Sequence, residues 1–179
     1  MQIGIIAQHR SGHTAYEQQL SQELNLKTIA ELDENIKNPT LFLNSIPNDC
    51  IFSLMIRPDT AEILKNYKEI NWRILYRRDV YTQMLSFIYT NAVQEFRKKC
   101  ENKVKINLSN IDFFVNRNNL IGSLIAENQH PVYYYEDLDL SRAFYQSTNN
   151  NYQDLIVNIN EVRDYFFDLS AQFLFTTKR

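Results

Sequence analysis

The sequence predicts an α/β protein with a central parallel sheet flanked by helices. Apolar runs of strand length alternate with helical patterns along the chain, and this alternation is typical of a parallel sheet. One run, residues 50–56 (CIFSLMI), is apolar almost throughout, as expected of a strand covered on both faces. The 179 residues fit one domain spanning 1–179, which would bury about two-thirds of its unfolded surface.

The predicted elements follow in a regular order. The strands are expected at residues 3–7, 26–30, 50–56, 72–76 and 131–135. The helices are expected over a segment carrying Ala15, Leu20 and Leu24, then at 40–46, from Pro58 onward, and at 80–99, 109–128 and 160–175. Pro58 is placed to open its helix because proline suits a first helical turn.

Charge, cysteine spacing and hydropathy give no support for several classes of partner and site. The formal charge of −2 gives no general reason to expect a nucleic acid or an acidic membrane surface as partner. Cys50 and Cys100 lie far apart without metal-ligand spacing, which favours a reducing compartment and predicts no metal. No apolar run reaches the roughly 18 residues of a membrane span. We therefore expect a cytoplasmic protein.

The segment between the first strand and the first helix has the composition of a phosphate-binding loop. It reads Gln8-His9-Arg10-Ser11-Gly12-His13-Thr14, and the helix N-terminus that follows attracts anions through its unpaired amides. Gly12 permits a close approach, Arg10 supplies charge, and Ser11 and Thr14 supply hydroxyl donors. A Walker A loop, and with it a kinase, is disfavoured because His13 follows Gly12. An ordinary capped turn remains the alternative.

Two further polar clusters follow predicted strands. Arg77-Arg78-Asp79 comes after residues 72–76, and Glu136-Asp137 comes after the aromatic strand PVYYY. Ligands of parallel sheets gather at the carboxyl ends of the strands, so these clusters are candidates for the same site. The alternative for the arginines is a solvated turn with a local ion pair.

These three clusters together resemble the PAPS-dependent sulfotransferases, most closely the bacterial and carbohydrate-directed branches. The family's loop reads Lys/Arg-Ser-Gly-Ser/Thr-Thr, and residues 10–14 match all but the fourth position. The family then has a strand ending in Arg with a Ser eight residues later, and ILYRRDVYTQMLS supplies Arg78 and Ser86. The tetrad Tyr-Glu-Asp-Leu that often follows a later strand is present in VYYYEDL. The resemblance covers roughly residues 2–30 and 72–138.

The resemblance implies a three-layer, P-loop-NTPase-like fold and a transfer reaction. A sulfuryl group would pass from PAPS, leaving PAP, to a hydroxyl of a carbohydrate or small-molecule acceptor, without a metal. The loop would hold the 5′-phosphosulfate, Arg78 and Ser86 would grip the 3′-phosphate, and Tyr135 would contact the adenine. The implied cofactor-binding residues are Arg10, Ser11, Gly12, His13, Thr14, Arg78, Ser86 and Tyr135. From the residues alone, Ser86 is equally well a core serine, and a tyrosine such as Tyr135 is more often a core aromatic than an adenine contact.

Three residues are candidates for the chemistry. Arg10 would place a cation on the departing phosphate oxygen. Glu31 follows the second strand, where carbohydrate-directed relatives carry an acidic residue, and would take the proton of the acceptor hydroxyl. His13 is the other candidate base because it lies in the loop and titrates near neutrality.

The sequence also departs from the family. The Lys-x-His pattern of the small-molecule enzymes is absent, since Leu54 and Ile56 stand near the place where it would fall. The sequence also lacks the Arg-Lys-Gly element with which many relatives close over the nucleotide. One alternative is therefore a catalytically degenerate PAP-binding module that acts through protein interactions. Another is a partner subunit, such as a second copy in a homodimer, that completes the site.

Overall fold

A computed structural model describes residues 1–29, 37–93, 103–139 and 151–176 of the chain. The chain divides into two compact units. The first comprises Met1–Arg78 and Leu120–Gln146, and the second comprises Asp79–Asn119 and Ser147–Arg179. The single domain expected from the sequence stays a prediction beside these two units.

The first unit contains a sheet of five strands, all of them parallel. The strands are β1 (Gln2–Ala7), β2 (Lys27–Thr28), β3 (Cys50–Met55), β4 (Asn71–Tyr76) and β5 (Val132–Tyr134). Their spatial order is β2-β3-β1-β4-β5, so β1 is central and pairs with β3 on one side and β4 on the other. The predicted α/β class with a central parallel sheet is confirmed.

The strands form where the sequence is most apolar. All six residues of β3 and five of the six in β1 are buried, as a strand covered on both faces requires. Gly4 leaves room for the Trp72 ring, since a Cβ there would lie 2.3 Å from the nearest ring atom. The second strand is shorter than expected, with Lys27–Thr28 in place of 26–30.

Helices cover both faces of this sheet. Helix α1 (His13–Leu24) buries Tyr16 and Leu20 against one face. The other face packs against α2 (Pro39–Ser45), α3 (Thr60–Asn66) and the second half of α5 (Ser109–Glu127). The helix expected from Pro58 begins at Thr60, because residues 57–60 first form a turn in which the Arg57 amide donates to Thr60 Oγ1.

The second unit is helical. It contains α4 (Val80–Val93), the first half of α5, α6 (Tyr152–Leu155) and α7 (Ile159–Thr176) around its own apolar core. The helix expected over 80–99 is confirmed to Val93, and its predicted last turn lies outside the described residues. No helix in the described ranges is long and apolar enough to cross a membrane.

Candidate functional site

Three polar segments of the first unit meet because β1, β4 and β5 are neighbours in the sheet. The carboxyl ends of parallel strands share one edge, so the segments after Ala7, Tyr76 and Tyr134 lie side by side. Contacts between the segments confirm this, because Arg77 donates to the Arg10 carbonyl and the Tyr135 ring packs against Gly12. We call residues 10–14 together with Arg77 and Tyr135 the loop cluster.

The loop after β1 turns sharply through two left-handed residues. Arg10 has φ 63° and Gly12 has φ 87°, and the Ser11 amide donates to the Gln8 carbonyl at 3.1 Å. Gly12 then passes directly into α1, whose first residue is His13. A left-handed residue followed by a right-handed one turns successive backbone amides toward a common point, which is an anion-binding arrangement.

The start of α1 keeps donors available. The Gly12 carbonyl accepts from the amides of Ala15 and Tyr16 at 3.0 and 3.2 Å. Within the described residues no side chain caps this helix. An uncapped helix N-terminus is an electrostatically favourable place for an anion.

The Ser11 side chain lies in this loop without a hydrogen-bond partner. Ser11 is only 1% exposed, and its Oγ contacts no donor or acceptor in the part of the chain described. A buried hydroxyl left unpaired costs about 1–3 kcal/mol, so such a group indicates a missing partner. Together with the amides of α1, this hydroxyl forms an incomplete polar site.

Arg77 and Tyr135 close the loop cluster. Arg77 Nη1 donates to the Arg10 carbonyl at 3.5 Å, and its guanidinium lies 4.9 Å from the centre of the Tyr135 ring. The same ring packs against Gly12, where a Cβ would come within 2.2 Å of it. The Tyr135 ring therefore lies against the loop, where it could contact a ligand that the loop holds. The same ring also packs against Gly12.

Arg78 is held by the segment after β5. Its guanidinium forms a bidentate pair with Asp137, at 2.7 and 2.8 Å, and lies 4.0 Å from the centre of the Tyr134 ring. Its amide donates to Glu136 Oε2 at 3.1 Å. The hydrogen bond between the two side chains raises the pKa of Arg78 and lowers that of Asp137. The ion pair that Arg78 forms is with Asp137, which follows β5, and is therefore not the pair within the turn that the sequence offers as the alternative.

Ser86 lies on α4 in the helical unit. It is buried, and its Oγ donates to the Tyr152 hydroxyl at 3.2 Å. Its carbonyl accepts from Thr90 Oγ1 at 2.5 Å. Ser86 thus makes the contacts of a core serine, and its role beside Arg78 stays a prediction.

The two candidate bases differ in what can be said of them. His13 is the first residue of α1 and is half-buried in the loop cluster. Glu31 lies outside the described residues. Among the residues that are described, no three His, Cys, Asp or Glu side chains come together as a metal site.

A pocket of about 970 Å³ lies at the opposite end of the sheet. It is lined by residues that begin β4 and precede β5, among them charged side chains of both signs and a histidine: Glu62, Lys65, Lys68, Glu127 and His130. Burial lowers the pKa of His130. Ligands of parallel sheets bind at the carboxyl ends, and the incomplete polar site is there, so the loop cluster is the better candidate.

Comparison with known proteins adds no relative. No protein-family model matches the chain, and no curated protein is similar to it. The resemblance to sulfotransferases therefore stays a prediction from the three motifs, and the physical case for a site depends on the loop cluster.

Proposed function

We propose that this protein transfers a sulfuryl group from PAPS to a hydroxyl of a carbohydrate or small-molecule acceptor. The observation that carries the proposal is the loop between β1 and α1. It combines a left-handed Gly12, an uncapped helix N-terminus and a buried Ser11 hydroxyl without a partner in the described chain. A phosphate or sulfate oxygen would satisfy all three features.

The donor requires a second anion pocket, because PAPS carries a 3′-phosphate besides its 5′-phosphosulfate. Arg78 is the proposed ligand, since a guanidinium fork matches phosphate oxygens in bidentate fashion. Its pair with Asp137 is solvent-exposed, with 51% and 59% of the two side chains accessible. Exposed pairs contribute little stability, so a phosphate with two negative charges would replace the carboxylate.

PAPS supplies the sulfuryl group. As the acceptor oxygen forms its bond to sulfur, its proton passes to a base, and the bond from sulfur to the bridging oxygen breaks with its electron pair left on the phosphate of PAP. Arg10 and the amides at the start of α1 would stabilise that charge, and preorganised donors of this kind are worth about 10²–10³ in rate each.

The base is Glu31 or His13, and pH–rate profiles of two variants separate them. Removing the base should lower kcat by about 10²–10⁴ and abolish the acidic limb of the profile. Glu31→Gln and His13→Asn change the two candidates separately while keeping a polar side chain. We expect the larger loss in Glu31→Gln, and unchanged turnover in that variant would make His13 the base.

A PAP-binding module without turnover is the second candidate. Two departures from the family pattern favour it, namely the absence of an Arg-Lys-Gly element and His13 at the loop position where the family carries Ser or Thr. A turnover assay with PAPS and a panel of hydroxyl acceptors separates the two candidates. Nucleotide binding without sulfated product from any acceptor would favour the module.

Calorimetric titration tests the proposal most directly. We expect the protein to bind PAP more tightly than AMP, which lacks the 3′-phosphate. Arg78→Gln should weaken PAP binding by about 10- to 100-fold, the usual value of a lost charge-assisted contact, and leave AMP binding unchanged. If the folded protein binds no PAP, or binds PAP and AMP equally, the proposal fails.

A further inference from the structure

Arg77 and Arg78 are adjacent in sequence but belong to opposite faces of the sheet. Side chains alternate along a strand, and β4 places Leu75 with α1 while Ile74 packs on the other face. Continued beyond Tyr76, the alternation assigns Arg77 to the α1 face and Arg78 to the opposite one. The contacts agree, because Arg77 reaches the loop backbone and Arg78 does not.

The guanidinium of Arg77 is only partly satisfied. One of its nitrogens makes the long contact to the Arg10 carbonyl, and its Nε is buried without a partner among the described residues. Ser11 Oγ, in the same cluster, is buried without a partner as well. Two unpaired donors beside the start of α1 have the chemistry of an anion site that lacks its anion.

We propose that Arg77, together with Ser11, binds the 5′-anion of the nucleotide, and that Arg78 serves only the 3′-phosphate. This assignment rests on the proposed function and extends it, since neither the loop motif nor the Arg–Ser spacing includes Arg77. Arg77 is then the cation that sets affinity for any adenosine 5′-phosphate, and Arg78 is the residue that discriminates PAP from AMP.

The test is calorimetric titration of AMP and PAP into wild type, Arg77→Gln, Arg77→Lys and Arg78→Gln. We expect Arg77→Gln to weaken both nucleotides by the same factor, about 10- to 100-fold, so that the PAP-to-AMP affinity ratio is unchanged. Arg77→Lys keeps the charge without Nε and should lose less. Arg78→Gln should lower the ratio and leave AMP affinity as in wild type.

Arg73→Gln is the matched control. Arg73 lies four residues earlier on the same face of β4, its guanidinium lies 5.2 Å from the Tyr133 ring, and its Nε is also buried without a described partner. Its Nη1, however, donates to the Tyr16 hydroxyl, away from the loop. We expect this variant to change thermal stability and to leave both affinities unchanged. Equal losses in Arg73→Gln and Arg77→Gln would mean that the loss is structural and would overturn the assignment.

The remaining outcomes separate this inference from the proposed function. AMP affinity unchanged in Arg77→Gln would overturn the role of Arg77, whatever happens to PAP. Wild-type protein that binds AMP and PAP equally, with both weakened in Arg77→Gln, would uphold Arg77 and reject the sulfotransferase proposal. No binding of either nucleotide to the folded wild type would overturn both.

Discussion

The loop cluster and the two residues predicted from the sequence to bind the 3′-phosphate, Arg78 and Ser86, differ in how their polar atoms are satisfied. In the loop cluster, Ser11 Oγ and Arg77 Nε are buried without described partners. Arg78 is paired with Asp137, and Ser86 donates to Tyr152. As proposed, the loop cluster would accept an anion without giving up a contact, whereas Arg78 and Ser86 would each have to exchange a contact within the chain first. We therefore expect most of the nucleotide affinity to come from the loop cluster.

Gly12→Ala would break the loop cluster and should have the largest effect. A left-handed alanine is strained, and its Cβ would overlap the Tyr135 ring, so we expect unfolding free energy to fall by about 1–3 kcal/mol. AMP and PAP binding should both weaken. Chemical denaturation and calorimetry measure the two effects.

Gly122→Ala is its control. Gly122 lies within α5 with open space around it, so an alanine there should raise unfolding free energy by about 0.5–1 kcal/mol and leave binding unchanged. The same stability change in both glycine variants would contradict the steric role of Gly12.

Tyr135→Ala examines the ring that lies against the loop. If the ring stacks on adenine, binding of AMP and PAP should each weaken by about 1–3 kcal/mol, the usual value of base stacking on an aromatic side chain. Tyr135→Phe keeps the ring and should bind as wild type. Tighter binding in Tyr135→Ala would instead mean that the ring hinders access of the nucleotide to Ser11 and Arg77. Calorimetry of both nucleotides distinguishes these results.

Ser86→Ala and Tyr152→Phe test whether Ser86 has a role besides its hydrogen bond to Tyr152. Both remove the same buried hydrogen bond, so each should lower unfolding free energy by about 1 kcal/mol. If Ser86 also binds the 3′-phosphate, PAP affinity should fall in Ser86→Ala and stay unchanged in Tyr152→Phe. Equal PAP affinity in the two variants would restrict Ser86 to the core. Denaturation and PAP titration are the measurements.

Asp137→Asn should have the smallest effect. It releases the fork of Arg78, so PAP affinity should rise about two- to threefold while AMP affinity stays constant. Asp164→Asn, which removes the carboxylate of an exposed pair with Arg163 in the helical unit, is the control and should leave PAP affinity unchanged. Weaker PAP binding in Asp137→Asn would mean that Asp137 orients Arg78 for the phosphate.

The same pair predicts the direction of a pH dependence. Arg78 lowers the pKa of Asp137 in the folded protein below the value near 4 of an unfolded aspartate. The pair's contribution to stability is therefore present above about pH 4 and is lost as pH falls through the lower folded pKa. Asp137→Asn should lack this acid-side loss. Urea denaturation at a series of acidic pH values, from above the pKa of an unfolded aspartate downward, compares the variant with wild type.

Much of the local structure can be predicted from the sequence alone. The apolar runs of β1 and β3 produce strands because both faces are buried, and Gly12 predicts the turn because it adopts a positive φ without strain. The start of α1 as a place for an anion follows from strand, glycine and helix in that order. The sequence also shows by parity that Arg77 shares a face with Leu75, although which helix covers that face is known only from the fold.

Which side chains meet is visible only in the tertiary structure. The order β1-β4-β5 places Tyr135 against Gly12, more than a hundred residues away in the chain, and pairs Arg78 with Asp137 and not with its neighbour Asp79. Ser86 is similarly paired with Tyr152 across 66 residues. Such pairings depend on strand order and packing over long separations, and periodicity within a segment carries no information about either.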